Sequence, residues 1–508
     1  MPSASLTAAR RKAEMTRLAD GERVDVVVIG GGITGVGVAL DAATRGLSVA
    51  LVERLDLANG TSRWSSKLAH GGLRYLRQGD VGLAWESARE RHLLLTRTAP
   101  HLVRAVPFIA PLNNSVSRVH GALTEAGIRA GDAMRIVAGT PASVLPPPRR
   151  VSKQEALRLI PALRDADLRG AILFWDGQIE DDARLVIAVA RTAAARGVRI
   201  LTYCEAVDIT HGRVSARDAV TGQQFDIATR HVVNATGVWA DRLTPQVRLT
   251  PSKGAHVILP AHALENPRAS LIVPVPHVSA RWVGATPTDE ARIIVGVTDD
   301  PYDGDIVDQP EVAADEEDFL LGVLSSALRS PLHEQCVVGR YAGFRPLLAG
   351  KEGSTADLSR RHALITDAET GTLTIVGGKL TTYRRMAQDA VDRLLAHARR
   401  PCVTTRLPLV GAAPQSTLNR VDAPRRLVRR YGTEAPFVAS LAREDSSLLD
   451  PIAPGLPVLG VELLFAVQHE GALTVDDVLE RRVRLGLVPT ERRAAEEAAA
   501  TLVHAIAA

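Results

Sequence analysis

Residues 24–53, VDVVVIGGGITGVGVALDAATRGLSVALVE, put a strand, a glycine-rich turn, a helix, a second strand and a terminal acid in direct succession. The unbroken apolar run at 26–29 is what a parallel strand covered on both faces requires. Gly30, Gly32 and Gly35 then fall on the three glycines of G-x-G-x-x-G. The first permits the tight turn, the second lets backbone amides approach a pyrophosphate, and the third lets the helix lie close on its strand. Ile33, Val36, Leu40 and Ala43 keep a helical period, and Gly46 suits the helix C-terminus. Glu53, closing the second strand, stands where a carboxylate accepts hydrogen bonds from a ribose hydroxyl. The segment predicts a βαβ unit that binds a dinucleotide.

At 508 residues the chain is too long for one core and predicts roughly two to four domains. Apolar residues make up 46% and charged residues 23%, the balance of a soluble globular protein. A net charge of +4 gives no argument for nucleic acid. No apolar run is long enough for a membrane span, and residues 1–20 lack an apolar secretory core, so a cytoplasmic protein is expected. Cys204, Cys336 and Cys402 are too scattered for a disulfide framework or a metal site. Residues 1–22 read as a mobile or loosely helical arm, solvated rather than touching an anionic surface through Arg10, Arg11 and Lys12. The prolines of 141–150 mark a turn or linker. Residues 181–196 read as a helix, 198–203 as a strand, and 250–300 as short strands of an antiparallel sheet. The acidic start of 311–329 predicts another helix. Beyond 403 the glycine motifs stop and helical patterns take over, with Thr474 and Asp477 forming a capping box.

Two further segments carry chemistry. Residues 60–76 crowd hydroxyls, glycines and cations where a core would not want them. Thr61, Ser62 and Ser66 can bind phosphate or ring edges, and Gly71 with Gly72 allows close backbone approach. Residues 377–383, GGKLTTY, follow a strand and open a helix, so free amides and the helix dipole meet the charge of Lys379.

The motifs VIGGGITGVGVALDAATRGLSVALVE, TSRWSSKLAHGGLRYL, DDARLV, VVNATGVWA, SKGAHVIL, GFRPLL and GGKLTTY, between residues 25 and 385, resemble those of the FAD-dependent (aerobic-type) glycerol-3-phosphate dehydrogenases. That family lies within the amino-acid oxidase-like flavoprotein superfamily. The resemblance implies a mixed α/β (α+β) fold. A Rossmann-like FAD-binding domain over 23–400 would be interleaved with an antiparallel substrate sheet, mainly 105–175 and 245–335, before a helical domain at 403–508. It implies oxidation of sn-glycerol 3-phosphate to dihydroxyacetone phosphate by hydride transfer to flavin N5, with electrons passed to a quinone at the inner face of the cell membrane. Oxygen as acceptor, or another hydroxy or amino acid as substrate, stays open as an alternative. So does a non-catalytic flavoprotein, although the set Arg74, Arg345 and Lys379 would serve no purpose there. A homodimer is compatible.

Residue by residue, the resemblance implies catalytic positions at Arg345, Lys379 and His256, the last being the candidate base or else a core histidine. Arg74, Tyr75, Arg360 and Thr382 fall on the substrate side, where guanidinium suits a phosphate dianion. Cofactor contacts are implied for Gly30, Gly32, Gly35 and Glu53, then for Thr61, Ser62, Ser66, Lys67, His70, Gly71, Gly72 and Leu73. Val207, Ala235, Thr236, Gly237 and Gly343 complete the set with Gly378, Lys379, Leu380 and Thr381. The sequence departs from relatives at Arg361, where many carry an acid, and at 281–288, RWVGATPT, which bears on substrate choice. Arg118, Arg129 and Arg135 offer a membrane surface few aromatics.

Overall fold

Strand Val24–Ile29 has its side chains buried on both faces, and each face is supplied by a different part of the chain. Val26 and Val28 pack into the cluster containing helix Ile33–Thr44, while Val27 and Ile29 pack with Met15 and Leu18. Here and below, the computed structural model describes residues 3–72, 76, 79–113, 118–276, 278, 281–349, 361–396, 398 and 400–507.

The first sheet runs in the order 363–366, 373–376, 224–234, 24–29, 49–52, 199–201. Its strands from 373–376 through 199–201 pair in parallel. A Cβ at Gly35 would overlap the Gly30 carbonyl oxygen, so only glycine lets the helix sit this close. At Gly30, φ is +110° and a Cβ would lie 2.6 Å from the Ala235 carbonyl oxygen.

The second sheet joins 252–260, 292–296, 282–287, 270–274, 103–111 and 171–179, with 339–345 on the far side of 252–260. It is mostly antiparallel, with 270–274 and 103–111 pairing in parallel. Helix Ala314–Ser325 covers one face through Leu320, Leu321 and Leu324.

The amino-terminal segment is helical, and it is docked rather than solvated. Residues Ala8–Ala19 form a helix whose Met15 and Leu18 are buried. Burial of each such side chain contributes about 1.5–3 kcal/mol. Arg10 donates to the Ala194 and Val198 carbonyls, and Arg11 to the Thr202 carbonyl and the Asp218 carboxylate. The arm is docked because the first strand's second face needs cover, a demand that local sequence does not announce.

Beyond residue 403, helices Arg425–Tyr431, Gly460–His469 and Pro489–Ala507 enclose two apolar clusters of their own. Thr474 Oγ1 accepts from the Asp477 amide at 3.1 Å, and the Asp477 carboxylate accepts from the Thr474 amide at 3.0 Å, the reciprocal cap expected. Buried ion pairs join this region to the rest: Arg184 with Glu470, and Arg481 and Arg482 with Asp56. Pairs of this kind specify how surfaces register more than they stabilise.

Candidate active site

In the parallel sheet the carboxyl ends of neighbouring strands lie side by side, where an open α/β sheet receives its ligand. The glycine turn follows 24–29, Glu53 follows 49–52, Ala235–Gly237 follow 224–234, and Gly377 and Gly378 follow 373–376. All of these ends line one cavity of about 1040 Å³, which continues to the second sheet.

At the nucleotide end, Glu53 Oε2 accepts from the Gly31 amide at 2.6 Å and Oε1 from Leu55 at 2.9 Å. Burial pushes the Glu53 carboxyl up, opposed by those two amides. Ser62 Oγ accepts from the Ile33 amide at 2.9 Å, tying the hydroxyl-rich loop to the helix start. Thr61 Oγ1 donates to the Phe344 carbonyl at 2.7 Å, tying the same loop to the second sheet. The Asn234 carboxamide receives the Thr236 amide and hydroxyl and donates to the Ala240 carbonyl, which shapes the turn at Ala235–Gly237.

At the other end the antiparallel register assembles the site. His256 pairs with Gly296 on one side and Tyr341 on the other, and Gly254 pairs with Gly343. A Cβ at Gly254 would overlap the Arg345 guanidinium, and one at Gly296 would overlap the His256 ring. One at Gly343 would lie 2.5 Å from Trp64 Cβ. The glycines thus leave room for the side chains of Arg345, His256 and Trp64.

Arg345 donates to Ser252 Oγ at 3.0 Å, the Lys253 carbonyl at 3.2 Å, the Thr298 carbonyl at 3.0 Å and Asp299 at 3.1 Å. Lys379 Nζ donates to Ser87 Oγ at 2.8 Å. His256 is 2% exposed, stacks on Tyr341 at 4.6 Å and has Nε2 2.8 Å from Ser66 Oγ. Burial, then the charges of Lys67 and Arg345, hold its imidazole well below the usual range, so the ring is neutral.

The chain matches a family model described as FAD dependent oxidoreductase over residues 25–384, and one described as the C-terminal domain of alpha-glycerophosphate oxidase over 402–508. It is 50% identical to glycerol-3-phosphate dehydrogenase 1 of Mycobacterium tuberculosis, with 96% of each chain covered. It is 31% identical to a glycerol-3-phosphate dehydrogenase of Synechocystis, covering 92% of this chain and 90% of that one. Among solved structures, the FAD complex of a glycerol-3-phosphate dehydrogenase from Bacillus halodurans superposes with TM-score 0.77 at 26% identity, covering 100% of this chain and 94% of the other. The chain belongs to the FAD-dependent glycerol-3-phosphate dehydrogenase family.

FAD is this family member's cofactor, and the cavity's residues fit it. The glycine turn presents bare backbone to the cavity at Gly30 and Gly32, where a Cβ on Gly32 would crowd Ser62 Oγ at 3.1 Å. Gly30, Gly32, Glu53, Thr61, Ser62, Ser66 and His70 stand in the wall. So do Ala235, Thr236, Gly237, Gly343, Gly378, Lys379, Leu380 and Thr381, together with Arg345 and His256.

Other expected positions lie elsewhere. Val207 is 53% exposed at a strand irregularity, and its neighbours Glu205 and Ala206 line the cavity instead. Lys67 turns away from the cavity; its Nζ is buried 2.9 Å from Asp182, because a buried ammonium needs a carboxylate. Thr382 is 1% exposed, and its hydroxyl turns back to the Lys379 carbonyl. Gly35 serves helix packing rather than the wall. Gly71 donates its amide to Asp176 at 3.1 Å, and Gly72 takes φ +78°. Leu73, Arg74, Tyr75 and Arg360 lie outside the described residues. Arg361 is exposed and pairs with Asp80 at 2.6 Å. The divergent 281–288 segment contributes Trp282 to the wall.

Asn234, Trp64, Ser87, Ser252 and Asp299 were not anticipated. Asn234 sits inside the quoted VVNATGVWA motif, and Ser252 opens SKGAHVIL. Asp299 and Ser87 carried no signal, since only folding brings them beside Arg345 and Lys379. Among the described residues, no helix is long and apolar enough to cross a membrane.

Proposed function

We propose that this chain oxidises sn-glycerol 3-phosphate at C2 to dihydroxyacetone phosphate and passes the electrons to a membrane quinone. The observation that carries this reading is that Arg345, Lys379 and the buried His256 line the same cavity as the glycine turn and Glu53. FAD, which the glycine turn, Glu53 and the Thr61–Ser62 loop would hold, would supply the two-electron oxidant for the C2 alcohol. Arg345, anchored by Ser252, Asp299 and the Lys253 and Thr298 carbonyls, polarises the substrate oxygen, and Lys379 adds positive charge near the developing alkoxide. His256 receives the hydroxyl proton at Nε2, directly or through Ser66 Oγ. A phosphate dianion offsets the repulsion of Lys67 and Arg345 and so raises the basicity of His256 on binding. Arg74, Tyr75 and Arg360 are assigned the phosphate grip by the family resemblance.

A lipophilic acceptor is supported by the cavity's apolar extension, where Phe108, Phe174, Ile272, Leu123 and Ile128 line the wall. Helix Arg118–Val137 exposes Leu123, Ile136 and Val137, which supports peripheral attachment to the inner face of the membrane. The test is anaerobic flavin reduction with a panel of phosphorylated and plain polyols and hydroxy acids. Glycerol 3-phosphate should bleach the flavin fastest, and a flavin that it leaves oxidised refutes the reading. Stoichiometric peroxide release in air would replace the quinone with oxygen.

A further inference from the structure

The carboxy-terminal domain meets the loop that faces His256 at Arg63, 3.7 Å from Glu480, at Trp64, which packs against Leu487 and Val488, and through Arg484. Arg484 is 3% exposed and takes φ +62°, the left-handed backbone that non-glycine residues adopt rarely. Its Nη1 donates to the Glu480 carbonyl at 2.7 Å within its own domain, and its Nη2 donates to the Arg63 carbonyl at 2.7 Å across the junction. The same guanidinium stands 3.6 Å from the carboxylates of Asp181 and Asp182, and 5.6 Å from the centre of the Trp64 ring.

Asp182, wholly buried, completes the frame. One oxygen accepts from the Ser65 amide at 2.9 Å and hydroxyl at 2.8 Å; the other accepts from Lys67 Nζ at 2.9 Å. Residues 63, 65 and 67 are therefore pinned from behind, and Ser66, between them, is the one whose hydroxyl meets His256 Nε2. Tyr341 closes the frame by donating its hydroxyl to the Ser65 carbonyl at 2.9 Å while stacking on His256.

We propose that Arg484, acting with Asp182, is a positioning residue for oxidation: the carboxy-terminal domain holds the 63–67 loop so that Ser66 aligns His256. The proposal rests on the function proposed above. Neither residue touches the reacting atoms; both act through Ser66. Lysine at 484 keeps the charge but not the planar fork that joins Glu480 to Arg63.

The test is a double-mutant cycle on the full-length holoenzyme, read as the limiting rate of anaerobic flavin reduction by glycerol 3-phosphate across pH. Wild type must first be reduced, and its failure condemns the function, not this proposal. Arg484→Lys and Ser66→Ala should each slow reduction about tenfold with FAD retained, and should displace the same limb of the pH profile. The double variant should be no slower than the slower single one, because both changes break one alignment. Effects that multiply, a wild-type rate in Arg484→Lys, or pH limbs that move independently would overturn the proposal. Loss of FAD or of fold in both Arg484→Lys and Arg484→Gln would also overturn it, since Arg484 would then serve the fold alone.

Discussion

Replacing Asp299 by asparagine removes one negative charge from beside Arg345 and leaves an oxygen acceptor of the same shape. Asp299 is 9% exposed, lies 3.1 Å from the guanidinium and also receives the Ser252 hydroxyl at 2.7 Å. A hydrogen bond to a charged group contributes about 1.5–3 kcal/mol. Ser252 Oγ and the Lys253 and Thr298 carbonyls still hold Arg345, so the loss falls at the low end, about 1.5 kcal/mol, or roughly tenfold in rate if expressed in the transition state. The substrate dianion, meeting an arginine less neutralised by its neighbour, should bind no more weakly. Stopped-flow reduction under anaerobic conditions separates the two quantities. The limiting rate should fall about tenfold while the apparent dissociation constant stays level or drops. An unchanged limiting rate, or a loss confined to substrate affinity, refutes the claim that Asp299 orients Arg345 for the chemical step.

Gly35→Ala should purify with little bound FAD, because its Cβ would overlap the Gly30 carbonyl and neither backbone can yield cheaply; the ratio of flavin to protein absorbance measures this. Glu470→Gln should destabilise the protein by about 3–5 kcal/mol, leaving Arg184 buried without its partner charge, as read from the denaturant midpoint. Stability should fall as pH drops below about 6.5, where the unfolded chain protonates His101 and His256. In the folded state burial, then the charge of Arg184, pushes His101 down to about 3, and His256 is held well below its usual range. The unfolded state therefore binds more protons in that window, and each ring contributes up to about 1.4 kcal/mol per pH unit. Unfolding measured at several pH values should show a shallower slope in His101→Phe, and an equal slope would refute the assignment.

The glycine turn and strand ends that line the cavity were readable in the sequence because their demands are local. The spacing of Gly30, Gly32 and Gly35, the apolar strand before them and Glu53 after them all answer to one turn and one helix. The same holds for Ala235–Gly237 and for Gly378–Thr381, each a strand end with a turn attached. The direction of the Lys67 side chain was not legible, for the opposite reason. Its neighbours in sequence are hydroxyls and glycines that face the cavity, whereas its own direction follows from Asp182, a partner far along the chain. Val207 turned outward at a strand irregularity whose position depends on pairing with 213–218. The docking of the amino-terminal helix was equally hidden, since Met15 and Leu18 acquire a partner only once the first sheet exists.

Adjacent residues alone determined that this chain builds a dinucleotide turn, a hydroxyl-rich loop and a cationic strand end, because backbone conformation and hydrophobic period are set within a few positions. Which charges meet was decided by the tertiary structure. Arg345 with Asp299, Lys67 with Asp182 and Arg484 with the 63–67 loop are contacts of a few ångströms between residues remote in sequence. Coulomb energy and hydrogen bonding depend on that separation in space, and strand register and domain packing set it.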